Sequence, residues 1–250
     1  MPTAPYNATI TSRDDVTEAL AVFHIRSDAD AHPFTPGQYL TLGLLSDEKL
    51  VQRPYSVASS ARRTLEGYEL YVRLVPGGAL TPLLFERREG DRVSIRGPKG
   101  RFTLLPGDER VHLFVATGCG IAPFMSMLRT LRDDRARRPI ILVHGVSYVR
   151  ELAYRPFLEE LAGEAADGFV YVPTISRAAA PENAEWSGST GRSEAVVSRV
   201  CERYGLAPGS CVAYVCGNPE MTGAAQRILR DRGFDDRQVH TELYWPLATR

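Results

Sequence analysis

Two short segments concentrate side chains suited to phosphates and planar aromatic ligands. In QRPYSVASS, residues 52–60, Arg53 offers a guanidinium that can pair with a phosphate, and Tyr55 a flat ring for stacking. Ser56 adds a hydroxyl, and Pro54 completes the Arg53-Pro54-Tyr55-Ser56 tetrad. Alternate residues of an extended chain share a face, so Arg53 and Tyr55 point the same way. In VHLFVATGCGIAPFMSML, residues 111–128, an apolar run ends in the turn Thr117-Gly118-Cys119-Gly120, and Pro123 can open a helix behind it. Gly118 and Gly120 would let the backbone approach a pyrophosphate, while a helix N-terminus supplies free N–H groups and a positive dipole end. Each segment also has an ordinary reading: an edge strand with a surface arginine, or a strand-to-helix turn that binds nothing.

Cys216 closes the run VAYVC, which reads as a strand ending at the sheet edge where doubly wound folds bind ligands. A buried, inert thiol is the commoner fate of such a cysteine. Cys201 lies in an amphipathic helical pattern and reads as core; His144 ends a strand without a carboxylate or metal partner nearby and reads as structural.

The elements that must hold these residues change character near residue 106. Before it, β-branched or aromatic runs at 9–11, 19–25, 39–44, 68–75 and 92–95 alternate with turn pairs such as Pro36-Gly37, Glu66-Gly67 and Gly97-Pro98. That rhythm predicts a small antiparallel barrel over 1–105. LLPGDER, 104–110, reads as a linker. Strands at 111–116, 140–144, 169–172, 212–216 and 238–244 then alternate with helices at 123–134, 151–162, 193–204 and 219–232. Parallel neighbours need crossovers, so 106–250 reads as a doubly wound α/β domain.

Composition narrows the field. Thirty Lys+Arg balance thirty Asp+Glu in 250 residues, which disfavours nucleic acid or anionic lipid as a ligand. The apolar runs are too short to span a bilayer and the first residues lack the pattern of a secretory signal, so a cytoplasmic protein is expected. The four cysteines, at 119, 201, 211 and 216, show neither C-x-x-C nor C-x4-C-x2-C spacing. No metal site or iron–sulfur cluster is expected, and any redox cofactor should be organic.

FTPGQYL at 34–40, RPYSVAS at 53–59, GGALTPLL at 77–84, ATGCGIAPFMSML at 116–128, and CGNPEM at 216–221 followed by TELYW at 241–245 occur together and in order. In this the chain resembles the ferredoxin–NADP(+) reductases of bacterial type, within the wider ferredoxin-reductase-like flavoenzymes. The resemblance implies an FAD-binding antiparallel β-barrel followed by an NADP-binding α/β domain. It places Arg53 on the FAD pyrophosphate, Tyr55 on the isoalloxazine and Ser56 near flavin N5. Gly78, Ala79, Leu80 and Thr81 match the loop that holds the pyrophosphate, with Thr81 expected as the cap before Pro82. Thr117, Gly118, Cys119 and Gly120 match the nicotinamide-nucleotide pyrophosphate turn. Cys216 and Glu242 match groups bordering the nicotinamide, and Arg177 and Arg192 the basic residues around the 2′-phosphate. Tyr244 is expected on the isoalloxazine and Trp245 on the FAD adenine, before a tail through Arg250.

One departure stands out. Where bacterial-type reductases often carry a further arginine this chain has Ser147, and Arg150 is the candidate to replace its charge. The implied activity is hydride transfer between NADPH and FAD and single-electron exchange with ferredoxin or flavodoxin, by a monomer. Ser56, Cys216 and Glu242 would orient reactants, since the flavin supplies the chemistry. Two alternatives remain: the NAD(P)H-dependent reductase component of an oxygenase system, and a redox-idle flavin-binding sensor. The cysteine count weighs against the fused iron–sulfur domain usual in the first.

Overall fold

The computed structural model describes residues 6–29, 32–164 and 168–244. Two compact units divide the chain: one runs to Leu104 and includes Ala122–Arg135, the other comprises Leu105–Ile121 and everything after Ala136.

The first unit is antiparallel. Strands β1 (Ala8–Thr17), β2 (Leu20–Ser27), β3 (Tyr39–Ser46), β4 (Lys49–Ser56), β5 (Tyr68–Arg73) and β6 (Arg92–Lys99) pair in the order β4-β3-β6-β1-β2-β5. An isolated bridge from Val57 to Leu70 joins the two edges, so the sheet closes on itself. Period-two alternation fills the interior: Ala21, Phe23 and Ile25 of β2, Leu40, Leu42 and Leu44 of β3, and Tyr68, Leu70 and Val72 of β5 share one core.

The short helix α1 (Thr81–Phe85) adds Leu84 to that core. Its C-terminal end is capped by Arg13, which donates to the carbonyls of Phe85 (2.5 Å) and Arg87 (3.2 Å). Helix α2 (Ala122–Asp133) also belongs to this unit. Ser126 donates to the Ser59 carbonyl at 2.8 Å, Thr130 accepts from the Ala61 amide at 2.9 Å, and Arg129 pairs with Glu69 at 2.8 Å.

The second unit is a parallel sheet ordered β10-β9-β8-β7-β11-β12. Its strands are β7 (Val111–Thr117), β8 (Ile140–Val146), β9 (Phe169–Ile175), β10 (Ser189–Thr190), β11 (Cys211–Gly217) and β12 (Val239–Leu243). Helices α4 (Ser193–Arg203) and α5 (Pro219–Asp231) bury Val196, Val197, Val200, Ala225 and Leu229 against Leu113, Val115, Ala213 and Val215 of the sheet. The strand order reverses between β7 and β11, the crevice where open α/β sheets take their ligands.

Three elements depart from the sequence reading. The helix expected over 151–162 is α3, Arg155–Glu164, because Pro156 is tolerated only in a first turn and Glu151 is used in a separate 3-10 turn, Val149–Glu151. The hairpin joining β3 to β4 turns on Asp47 and Glu48, both left-handed at φ 49° and 63°, where no glycine announces a turn. β10 is only two residues long and carries no strand signal of its own. No helix among the described residues is long and apolar enough to cross a membrane.

Candidate functional site

In the first unit the tetrad forms the last four residues of β4. Arg53 and Pro54 are exposed, Tyr55 is half-buried against the barrel core, and Ser56 is 5% exposed. The Arg53 guanidinium donates only to the neighbouring Gln52 carbonyl, at 2.8 Å, and no carboxylate among the described residues pairs with it. Gln52 Nε2 is buried with no partner. A guanidinium without a carboxylate partner among the described residues, on the same strand as a ring that can stack, suits a phosphate-bearing aromatic cofactor.

The loop before α1 corrects one expectation. The cap of α1 is Leu80, without a side-chain bond, and Thr81 is the first helical residue. The Thr81 hydroxyl is occupied instead by the Val75 backbone, accepting from its amide at 2.9 Å and donating to its carbonyl at 3.3 Å. Thr81 therefore shapes the loop. Leu80 is buried in the barrel core, whereas Ala79 is exposed and a side chain at Gly77 would meet open space.

In the second unit the switch point is built from close backbone contact. Gly118 sits at φ +49°, and the turn Gly118–Ile121 follows β7. A Cβ on Gly120 would lie 2.2 Å from the Cys216 carbonyl oxygen, so its lack of a side chain serves the neighbouring strand, not only a ligand. Gly217 meets Thr117 in the same way, its Cβ position 2.2 Å from Thr117 Oγ1, which also accepts from the Asn218 amide at 3.3 Å. Asn218 caps α5, accepting from Met221 N at 2.8 Å.

Cys216, Glu242, Tyr244 and Cys119 come together here. The buried Cys216 thiol donates to Glu242 Oε2 at 4.0 Å, and the Tyr244 hydroxyl donates to the Cys119 carbonyl at 2.5 Å. Burial, reinforced by the Glu242 carboxylate, pushes the Cys216 thiol well above its ordinary pKa, so it is a neutral group that can position but not attack. Trp245 lies outside the described residues.

His144, read from the sequence as structural, packs beside the turn after β7. It is fully buried, with Nε2 3.4 Å from the Gly118 carbonyl and Nδ1 3.4 Å from the Tyr171 hydroxyl. A carbonyl can only accept, so Nε2 carries the proton and Nδ1 accepts from Tyr171. Burial lowers the His144 pKa from 6.5 to about 4, and His112 and His240 are lowered by the same cause. Between pH 6.5 and 4 the unfolded chain therefore binds more protons at His144 than the folded one. Stability should fall as pH drops through that window, by about 3 kcal/mol from this residue. Urea midpoints between pH 7 and 4 check this: His144→Gln should flatten the slope, and an unchanged slope would assign the acid loss elsewhere.

Arg177 and Arg150 converge on one ring. Arg177 donates to the Tyr148 hydroxyl at 2.7 Å with its guanidinium 5.3 Å from the ring centre, and Arg150 lies 4.7 Å from the same centre. Neither pairs with a carboxylate among the described residues. Arg192 is exposed at the start of α4 and lies 3.9 Å from Glu220 instead. The Glu151 carboxylate, 8% exposed, accepts from the amides of Ser147 (2.8 Å) and Tyr148 (3.2 Å) and fixes their turn.

These two halves match known domains. The family described as "Oxidoreductase FAD-binding domain" covers residues 7–104, and "Oxidoreductase NAD-binding domain" covers 114–227. Ferredoxin–NADP reductase B of Sorangium cellulosum (strain So ce56) is 32% identical over 222 residues, 88% of each chain. The phenol hydroxylase P5 protein of Acinetobacter pittii (strain PHEA-2) is 30% identical over 244 residues; they are 97% of this chain but 66% of that relative. The crystal structure of a ferredoxin NADP+ reductase from Neisseria gonorrhoeae with bound FAD and NADP superposes with a TM-score of 0.82 at 26% identity, covering 97% of this chain and 100% of that one. Closed barrel, switch-point turn and relatives define a flavin- and nicotinamide-dependent oxidoreductase. The chain belongs to the ferredoxin reductase-like family of flavoenzymes.

Proposed function

We propose that the protein is an NADPH-dependent ferredoxin or flavodoxin reductase. The barrel, 1–105, holds FAD and the remainder, 106–250, holds NADP(H). Bound there, FAD would supply hydride acceptance from the reduced nicotinamide and single-electron release to a carrier. The chain's own residues bind and orient. Arg53 neutralises the FAD pyrophosphate together with the backbone N–H groups of 79–81, while Gly78, whose N–H bonds to the Val75 carbonyl, closes the loop, and Tyr55 stacks on the ring with Ser56 beside it. Thr117, Gly118, Cys119 and Gly120 cradle the nucleotide pyrophosphate. Cys216 and Glu242 border the nicotinamide as neutral and charged positioning groups, and Tyr244 covers the flavin ring until the nicotinamide arrives.

The observation that carries the coenzyme assignment is the pair of guanidinium groups on Tyr148, without a carboxylate partner among the described residues. Arg150 there makes good the charge missing at Ser147, and Arg192 adds a looser third. Guanidinium pairs suit a phosphate dianion, and no such pair is needed for the free ribose hydroxyl of NADH. Ferricyanide reduction measured with both coenzymes tests the reading. NADPH should be preferred, and Arg177→Ala and Arg150→Ala should each raise the KM for NADPH about tenfold while leaving kcat and the values for NADH nearly unchanged. Equal kcat/KM for the two coenzymes in the unaltered enzyme would overturn it, and FAD binding without turnover would point to a sensor.

A second reading has a specific observation behind it: the phenol hydroxylase P5 protein aligns with 97% of this chain, against 88% for the Sorangium reductase. A reductase component of an oxygenase system would pass electrons to an oxygenase partner. Titrating the reduced protein with ferredoxins and flavodoxins separates the two: rapid oxidation by either carrier supports the first reading, and oxidation by neither supports the second.

A further inference from the structure

Asn183 is out of place for its surroundings. It ends a single 3-10 turn, Pro181–Asn183, whose neighbours Pro181, Glu182, Ala184 and Glu185 are exposed, yet it is itself 2% exposed. Its side chain spends three bonds on backbone groups, two in the loop after β8 and one at the start of its own loop after β9. Oδ1 accepts from the Val149 amide at 2.9 Å, and Nδ2 donates to the carbonyls of Ser147 at 3.1 Å and Arg177 at 2.9 Å. These bonds bracket Tyr148 on both sides and seize the backbone of Arg177.

We propose that Asn183 is a positioning residue for coenzyme choice, holding Arg150, Tyr148 and Arg177 in the arrangement that receives a 2′-phosphate on adenosine; this rests on the NADPH reading above. Two guanidinium groups on one ring repel each other and lose side-chain freedom when they converge on an anion. Fixing their backbones in advance lowers that cost at the moment of binding. One side chain thus couples the loop after β8 to the loop after β9, the two loops that supply the charges.

The test is calorimetric titration of the FAD-loaded protein with 2′,5′-ADP and with 5′-AMP, which differ only in the 2′-phosphate, alongside the thermal midpoint of each variant. Asn183→Leu should weaken 2′,5′-ADP binding about tenfold while changing 5′-AMP binding less than about twofold. Asn183→Asp, close in shape and keeping only the acceptor for Val149, should fall between, and it serves alone if the Leu variant does not fold. Unchanged 2′,5′-ADP affinity, or equal losses for both ligands, would overturn the proposal, the second result assigning Asn183 a purely structural role. If the unaltered protein binds both ligands equally, the NADPH reading itself has failed and Asn183 has no selectivity to set.

Discussion

Arg53→Ala is expected to strip FAD from the protein, raising the dissociation constant on the order of 10- to 100-fold. Arg53 is exposed on β4 and its guanidinium is hydrogen-bonded to the Gln52 carbonyl, so its removal breaks no ion pair among the described residues. The loss should therefore appear in cofactor binding and hardly in the barrel's own stability. Fluorescence titration of the apoprotein with FAD measures it, and riboflavin, which lacks the phosphates, should bind the two forms alike. Equal FAD affinity in the variant would place the pyrophosphate elsewhere.

Gly120→Ala should destabilise the second unit by about 3 kcal/mol and abolish coenzyme binding. The new methyl would sit 2.2 Å from the Cys216 carbonyl oxygen, 2.7 Å from its carbon and 2.8 Å from Gly217 Cα, all of them backbone atoms that cannot swing aside. Relief requires the turn Gly118–Ile121 to draw back from the end of β11, at the switch point where the nucleotide is proposed to lie. Gly163→Ala is the control with the opposite sign: it lies in α3 with nothing near its Cβ position, and should stabilise by about 0.5 kcal/mol through helix propensity. Urea unfolding followed by circular dichroism reads both. A Gly120→Ala variant as stable as the parent would mean that the close approach is easily relaxed.

The sequence alone determined what depends on neighbouring residues. The β-branched and aromatic runs at 39–44 and 68–75, bounded by turn residues, mark β3 and β5, and the strand–helix rhythm after 106 marks a parallel sheet, because both are local patterns of neighbouring residues. The tetrad Arg53-Pro54-Tyr55-Ser56 was legible because its residues are consecutive within one strand. Features made by residues distant in the chain were not. Thr81 read as a cap until the Val75 backbone claimed its hydroxyl. Gly120 read as room for a ligand, and only the pairing of β7 with β11 puts the Cys216 carbonyl against it. His144 acquired its bonds to Gly118 and Tyr171 through the pairing of β8 with β7 and β9. Asn183 lies 34 and 36 positions from the loop residues it holds, and nothing in Pro-Glu-Asn announces them. Hydrogen bonds and close contacts of this range exist only once the sheet has brought the loops together, so the tertiary structure decided them.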